Sequence, residues 1–187
     1  MSEMKLTIKD AATELFYRKG YYATSMSEIA KACCIQKASI YYHYESKEAL
    51  LYYIMENTMD DLVTYLSASI QGLTSVEEKV RAAVKAHVVF HLNRQKENFV
   101  ANTELRGLSP EHYQDIVAKR DAYERIFQAL LAQGRDEGVF DEGDVKILSY
   151  AILALCTSGA FWFQQGGRLS VDDIAEIYER FILKGIT

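Results

Sequence analysis

The chain predicts an all-α protein of about nine helices, and three observations carry that prediction. Proline occurs once, at Pro110, and glycine ten times in 187 residues. That is too few breakers for an all-β protein, which needs a turn roughly every 8–12 residues. Apolar residues recur at helical rather than strand period along nearly the whole chain. Helix-start signatures punctuate it, with serine or aspartate ahead of an apolar-periodic run at Ser25, Ser46, Ser109, Asp144 and Ser170.

Taken in order, residues 6–20 set Leu6, Ala11, Leu15 and Phe16 on one face, and Gly20 ends the helix at a C′ position. Ser25 with Glu28 reads as a capping box opening a short helix through Ile29 and Ala32. Residues 33–36 leave room only for a brief turn before a second short helix through Ile40. Ser46 starts a long helix to about Gly72, and residues 75–93 are amphipathic through Val76, Val80, Val84, Val88 and Phe90. A shorter segment reaches about Arg106. Ser109 as N-cap and Pro110 at N1 open a helix running past Tyr123, Phe127 and Leu130 to Gly134 or Gly138. Asp144 opens a helix apolar nearly all round, ended near Gly166, and Ser170 caps the last, which closes at Gly185.

Composition bounds the function. Apolar residues make up 49% and charged residues 25%, the balance of a soluble globular chain. The net charge is −5, but residues 1–50 carry +1 and the remainder −6, so the N-terminal end tolerates a polyanion better. Three cysteines are too few for a disulfide framework, and none stands in a CxxC spacing that would suggest zinc. The start of the chain lacks the apolar core of a signal peptide. Within the longest charge-free run, the apolar stretch 147–163 would make a helix of about 25 Å against the roughly 30 Å of a bilayer core. A cytoplasmic location is expected. No GxGxxG, GxSxG or HExxH pattern occurs, and no nucleophile–base pair is evident, so an enzyme is not expected.

Two short helices joined by a four-residue turn form the helix-turn-helix arrangement, whose second helix lies in the major groove. That helix spans residues 37–44, and Ile40, its one aliphatic residue of any size, must face inward. Lys37, Ala38, Ser39, Tyr42 and His43 are left on outer faces: a cation, a small residue that permits close approach, hydroxyls for phosphate and an imidazole for a base edge. Lys47, at the next helix start, and the helix N-terminus at Thr24 and Ser25 suit phosphate. Spacing alone is equally satisfied by an amphipathic surface helix.

The sequence TSMSEIAKA at 24–32, then IQKASIYYHYESKEALL at 35–51, resembles the DNA-binding domain of TetR-family transcriptional regulators. Ala12 to Phe16, with Gly20 and Tyr21, is similar to that family's first helix. The resemblance implies a DNA-binding domain over residues 1–47 and a helical ligand-binding and dimerisation domain over 48–187. It implies base-edge contacts from Lys37, Ala38, Tyr42 and His43, and phosphate contacts from Thr24, Ser39, Tyr41 and Lys47. Three positions depart from the family pattern. Cys34 stands where glycine is frequent, in a turn that favours positive φ, at a cost of about 1 kcal/mol. Gln36 replaces a serine-type N-cap, and Ala38 a frequent glycine.

Beyond residue 48 the resemblance implies an effector cavity among the middle helices and a homodimer built by the last two. A helix apolar all round must be buried on two sides, and Ser149, Ala151, Ala154 and Ser158 permit a close helix–helix approach. ELRGLSPEH at 104–112, FWF at 161–163 and GGRLS at 166–170 are similar to the acyl-CoA-responsive branch, regulators of fatty-acid and sterol catabolism. Phe161 and Gln164 depart from it, standing where arginine is frequent. The expected effector-binding residues are His87, His91, Arg106, Tyr123, Phe127, Phe161, Trp162 and Arg168, with the two arginines meeting the CoA phosphates. His87 and His91, at i and i+4, could also take a metal; with no third ligand in evident register, neither metal nor cofactor is expected. The expected partners are operator DNA, a small apolar effector and a second copy of the chain. The competing reading keeps the same DNA head but senses a metal or the oxidation of Cys33 and Cys34.

Overall fold

The computed structural model describes residues 3–187, which form nine α-helices and one 3-10 turn with no strand among them. The helices are α1 (Glu3–Lys19), α2 (Met26–Ala32), α3 (Lys37–His43), α4 (Lys47–Ile70), α5 (Val76–Asn93), α6 (Gln95–Thr103), α7 (Pro110–Asp136), α8 (Val145–Trp162) and α9 (Val171–Ile186). The 3-10 turn is Leu105–Gly107. Side-chain caps fix several starts. Ser25 and Glu28 close a capping box on α2, Ser170 and Asp173 another on α9, and Asp144 accepts the Lys146 and Ile147 N–H groups of α8. Gly20 ends α1 at φ +83°, its N–H donating to the Phe16 carbonyl at 2.8 Å.

The end of α2 is a Schellman motif built around a cysteine. The Cys34 N–H donates to the Lys31 carbonyl at 3.1 Å and the Ile35 N–H to the Ala30 carbonyl at 3.0 Å. This geometry puts Cys34 at φ +55°, the left-handed region, where it is the one non-glycine among the described residues. A Cβ there crowds the following carbonyl, so Cys34→Gly is expected to raise stability by about 1 kcal/mol. Reversible thermal or urea unfolding would check this; an unchanged or lowered midpoint would refute it.

The chain divides into two compact units, one running through Met59 and adding Lys96–Val117, the other comprising Asp60–Gln95 and Ala118–Thr187. The first unit takes in more than the three N-terminal helices. Ile8, Phe16, Ile29 and Ile40 from the three N-terminal helices share one core with Leu50, Leu51, Ile54 and Met55 of α4, Val100 of α6 and Ile116 of α7. Three short helices alone expose too much of their inner faces, and these later segments cover them. The buried face of α1 also differs from expectation. Ile8, Ala12, Thr13 and Phe16 point inward, whereas Leu6 is 38% exposed.

In the second unit α5 packs against both α8 and α9. Arg81 on α5 ties to Glu179 on α9 at 2.7 Å, and the Gln95 amide donates to the Ala160 and Phe163 carbonyls at the end of α8. The inward side of α8 carries Ser149, Ile152, Cys156 and Ala160. Ser149 therefore does not belong to the outer small-residue face: it is fully buried and donates to Glu124 at 3.2 Å. The outer side presents Ile147, Tyr150, Ala151, Ala154, Phe161 and Trp162 to solvent. At 18 residues, α8 is the one described helix long and apolar enough, by length and composition, to cross a membrane.

Candidate functional site

The first unit sets α3 in place by one anchor. Ile40 is fully buried, and around it Lys37, Ala38, Ser39, Tyr41 and Tyr42 are exposed and His43 half-buried. Tyr42 is 88% exposed, and its ring meets the His43 imidazole edge-on at 5.1 Å. A large aromatic held in water costs hydrophobic free energy unless a partner covers it. Gln36 caps α3 without a side-chain hydrogen bond.

Two of the residues expected at phosphate are engaged inside the fold instead. The Lys47 ammonium donates to the Tyr21 and Thr24 carbonyls at 2.9 and 2.8 Å and lies over the Tyr21 ring at 4.3 Å. Thr24 is buried, and its hydroxyl donates to the Gly20 carbonyl at 2.9 Å. At the start of α2, the Glu28 carboxylate already accepts the Ser25 N–H at 2.9 Å and the Ser25 hydroxyl at 3.0 Å. Lys19 donates to the same carboxylate, and these bonds pull its pKa down to about 2. The anion that a helix N-terminus attracts is thus supplied by the chain itself.

A second set of contacts in this unit joins α4 to the start of α7. Glu48 accepts from the Ser109 N–H at 2.9 Å and lies 2.7 Å from His112 Nδ1. The Tyr52 ring stacks on His112 at 3.8 Å, and its hydroxyl reaches Asp115 at 2.7 Å. The Tyr22 hydroxyl donates to the Arg106 carbonyl at 2.7 Å. Gly107 sits so close that a Cβ would fall 2.7 Å from Tyr21 and 2.8 Å from Leu51, which is why a side chain is excluded there.

In the second unit His87, His91, Tyr123 and Phe127 are all buried and meet one another. His87 Nδ1 is 2.8 Å from the Tyr123 hydroxyl and Nε2 is 3.0 Å from the Thr157 hydroxyl. The His91 ring stacks on His87 at 4.0 Å, with Nδ1 2.9 Å from the His87 carbonyl. Burial drives the His87 pKa well below its usual value, with His91 adding to the effect. Burial also takes His91 down to about 4, partly opposed by its bond to the His87 carbonyl. Both imidazoles are therefore neutral at pH 7. A neutral ring offers one donor and one acceptor, and His87 has both engaged by hydroxyls. Neither nitrogen of His87 is left for a metal, and the described residues contain no cluster of three metal-ligating side chains.

The outer faces of α8 and α9 form an apolar groove of about 460 Å³ lined by Leu148, Ala151, Leu155 and Phe181 among others. Phe181 on α9 is 67% exposed. A smaller pocket of about 240 Å³ gathers Trp162, Arg168, Leu169 and Ile174 at the turn between these helices.

A family model described as "Tetracyclin repressor-like, C-terminal domain" matches residues 73–186, and one described as "Bacterial regulatory proteins, tetR family" matches residues 8–54. The chain belongs to the TetR family. Its similarity to a repressor named KstR2 from Rhodococcus jostii is 26% identity, covering 99% of this chain and 92% of that one. Among solved structures, the TetR-family regulator PfmR from Thermus thermophilus shares 30% identity over 95% of this chain and 97% of its own, with a TM-score of 0.88. The regulator AibR, solved with isovaleryl coenzyme A and operator DNA, shares 27% identity over 96% and 97%, also at 0.88.

TetR-family membership makes the protein a transcriptional regulator with a helix-turn-helix head, not an enzyme. Of the expected effector residues, the fold brings His87, His91, Tyr123 and Phe127 together. It sets Trp162 and Arg168 at a separate surface pocket, leaves Phe161 54% exposed on α8, and places Arg106 in the other unit. Sequence reasoning missed Thr157, Glu48, Tyr52 and Asp115. Thr157 lies inside a run read as apolar nearly all round, and only its placement opposite His87, 70 residues away, reveals its part.

Proposed function

We propose that this TetR-family protein is a cytoplasmic repressor that binds a pseudo-palindromic operator as a homodimer and is released by an acyl-CoA. Base edges are read by Lys37, Ala38, Tyr42 and His43, with Ser39 and Tyr41 on phosphates; the exposure of all but half-buried His43 around buried Ile40 supports this. The outer apolar face of α8 and α9 pairs with its copy, which accounts for the apolar side chains held in water on the single chain. The observation that carries the effector is the neutral, buried His87–Tyr123–Thr157 group among aromatic rings. Of the Tyr123 and Thr157 hydroxyls, the one that accepts from His87 keeps its own O–H. That uncharged donor in an apolar surround suits a thioester carbonyl and an acyl chain and penalises a carboxylate. Arg168, in the same unit, is the candidate for the CoA phosphates.

The test is release from a fluorescent operator duplex by a chain-length series of acyl-CoAs, with the free acids and CoA alone as controls. Each added CH₂ is expected to tighten the response about fourfold, from roughly 0.8 kcal/mol per CH₂, until the pocket is full. Free acids are expected to be far weaker, and Arg168→Ala to narrow that gap. A response flat with chain length, or no release by any acyl-CoA, would remove the acyl-CoA and leave an unassigned apolar effector.

A further inference from the structure

Two adjacent thiols stand in the turn that sets the reading helix, and operator or effector binding uses neither. Cys34 is exposed and holds the left-handed position of the Schellman motif, where glycine is less strained. Cys33 is half-buried against the core of the first unit, its sulfur 3.8 Å from the Thr7 carbonyl of α1. Its thiol is pushed up by burial and then by its neighbour, so Cys34 is the one that meets a solvent reagent first. The third cysteine, Cys156, is buried in the other unit with its thiol pushed up to about 12.

We propose that Cys33 and Cys34 form a site of reversible modification by hydroperoxides, closing to a vicinal disulfide that unseats α3. In the first step the Cys34 thiolate attacks the peroxide ROOH, the O–O bond breaks, and Cys34 becomes a sulfenic acid as ROH leaves. In the second, the Cys33 sulfur displaces the hydroxyl from that sulfenic acid, its proton leaving with the hydroxyl as water. Two thiols have then lost two electrons and the peroxide has gained them.

The geometry makes this bond a switch rather than a staple. Adjacent Cα atoms lie about 3.8 Å apart across a trans peptide, closer than the roughly 4.4–6.8 Å an unstrained disulfide prefers. Closure therefore requires the backbone of the turn to move, and the Cys34-to-Lys31 and Ile35-to-Ala30 hydrogen bonds are the ones in its way. α3 starts at Lys37, only three residues past Cys34, has no side-chain cap and is anchored by Ile40. Losing the turn removes its second support. A strained disulfide is also readily reduced, so thiol reductants reverse the change.

The experiment treats the reduced full-length protein with hydrogen peroxide and follows intact mass, melting temperature and binding to an operator duplex selected from random DNA. Wild type is expected to lose two hydrogens, melt lower and bind operator at least tenfold more weakly, with all three restored by dithiothreitol. Cys34→Gly is expected to bind as the reduced wild type does and to ignore peroxide; Cys33→Ser should gain oxygen in place of losing hydrogen. The proposal is overturned if wild type loses the two hydrogens with melting and affinity unchanged, if it only gains oxygen, or if Cys34→Gly remains peroxide-sensitive. Reduced protein that selects no operator would count against the DNA-binding reading alone, because the mass and melting readouts stand apart from it.

Discussion

Ala154→Arg is expected to convert the protein from dimer to monomer in sedimentation and to weaken operator binding by at least a hundredfold, with its helical circular dichroism retained. Ala154 is exposed at the middle of the outer face of α8, with Ile147 and Tyr150 before it and Phe161 one helical repeat of seven residues after it. Across the groove, Phe181 of α9 extends the same apolar surface. On the single chain an arginine here stays in water, so the fold is spared. In a dry helix–helix contact the same charge costs several kcal/mol unless it finds a partner. Operator affinity follows because two linked reading heads gain on the order of 10²–10⁴ in avidity over one. A variant that remains dimeric at low micromolar concentration would move the interface off α8.

Element boundaries are legible in the sequence wherever a side chain makes the cap. Ser25 with Glu28, Asp144, and Ser170 with Asp173 each close the hydrogen bonds that their spacing implies. The left-handed turn at Cys34 is legible only through the TetR-family resemblance, which sets a frequent glycine at that position. The facing of α1 is less so. Ile8, Ala12 and Phe16 at four-residue intervals form one stripe, while Leu6 and Leu15 suggest another nearby, and only packing decides between them. Lys47 defeats sequence reasoning for a different reason. A lysine at a helix start suits a phosphate or a carbonyl equally, and the choice depends on Tyr21 and Thr24 presenting their carbonyls from the loop between α1 and α2. The effector group is half legible: the i, i+4 spacing pairs His87 with His91, but their neutrality depends on burial supplied by α7 and α8.

That neutrality predicts a loss of stability in mild acid. Both histidines have folded-state pKa values below the usual 6.5, His91 at about 4 and His87 well below 6.5. The unfolded chain, with imidazoles near 6.5, therefore binds protons more tightly than the folded one. The contribution is complete above pH 6.5 and drains away as the pH falls from there through His91's value. At pH 5 His91 alone is expected to have withdrawn about 2 kcal/mol, lowering the melting temperature by roughly 5 °C for a chain this long, and His87 adds a loss of the same sign. The window separates this effect from the carboxylates. Glu28, Glu48 and Asp173 have lowered values and lose their contributions only below their own unfolded range of about 4 to 4.5. His91→Gln keeps a donor for the His87 carbonyl while removing one titrating group, so it should flatten the slope between pH 6.5 and 5. A wild-type melting temperature that stays level from pH 7 to 5 would mean that the imidazoles take up protons without unfolding, and that the second unit opens to water around His87.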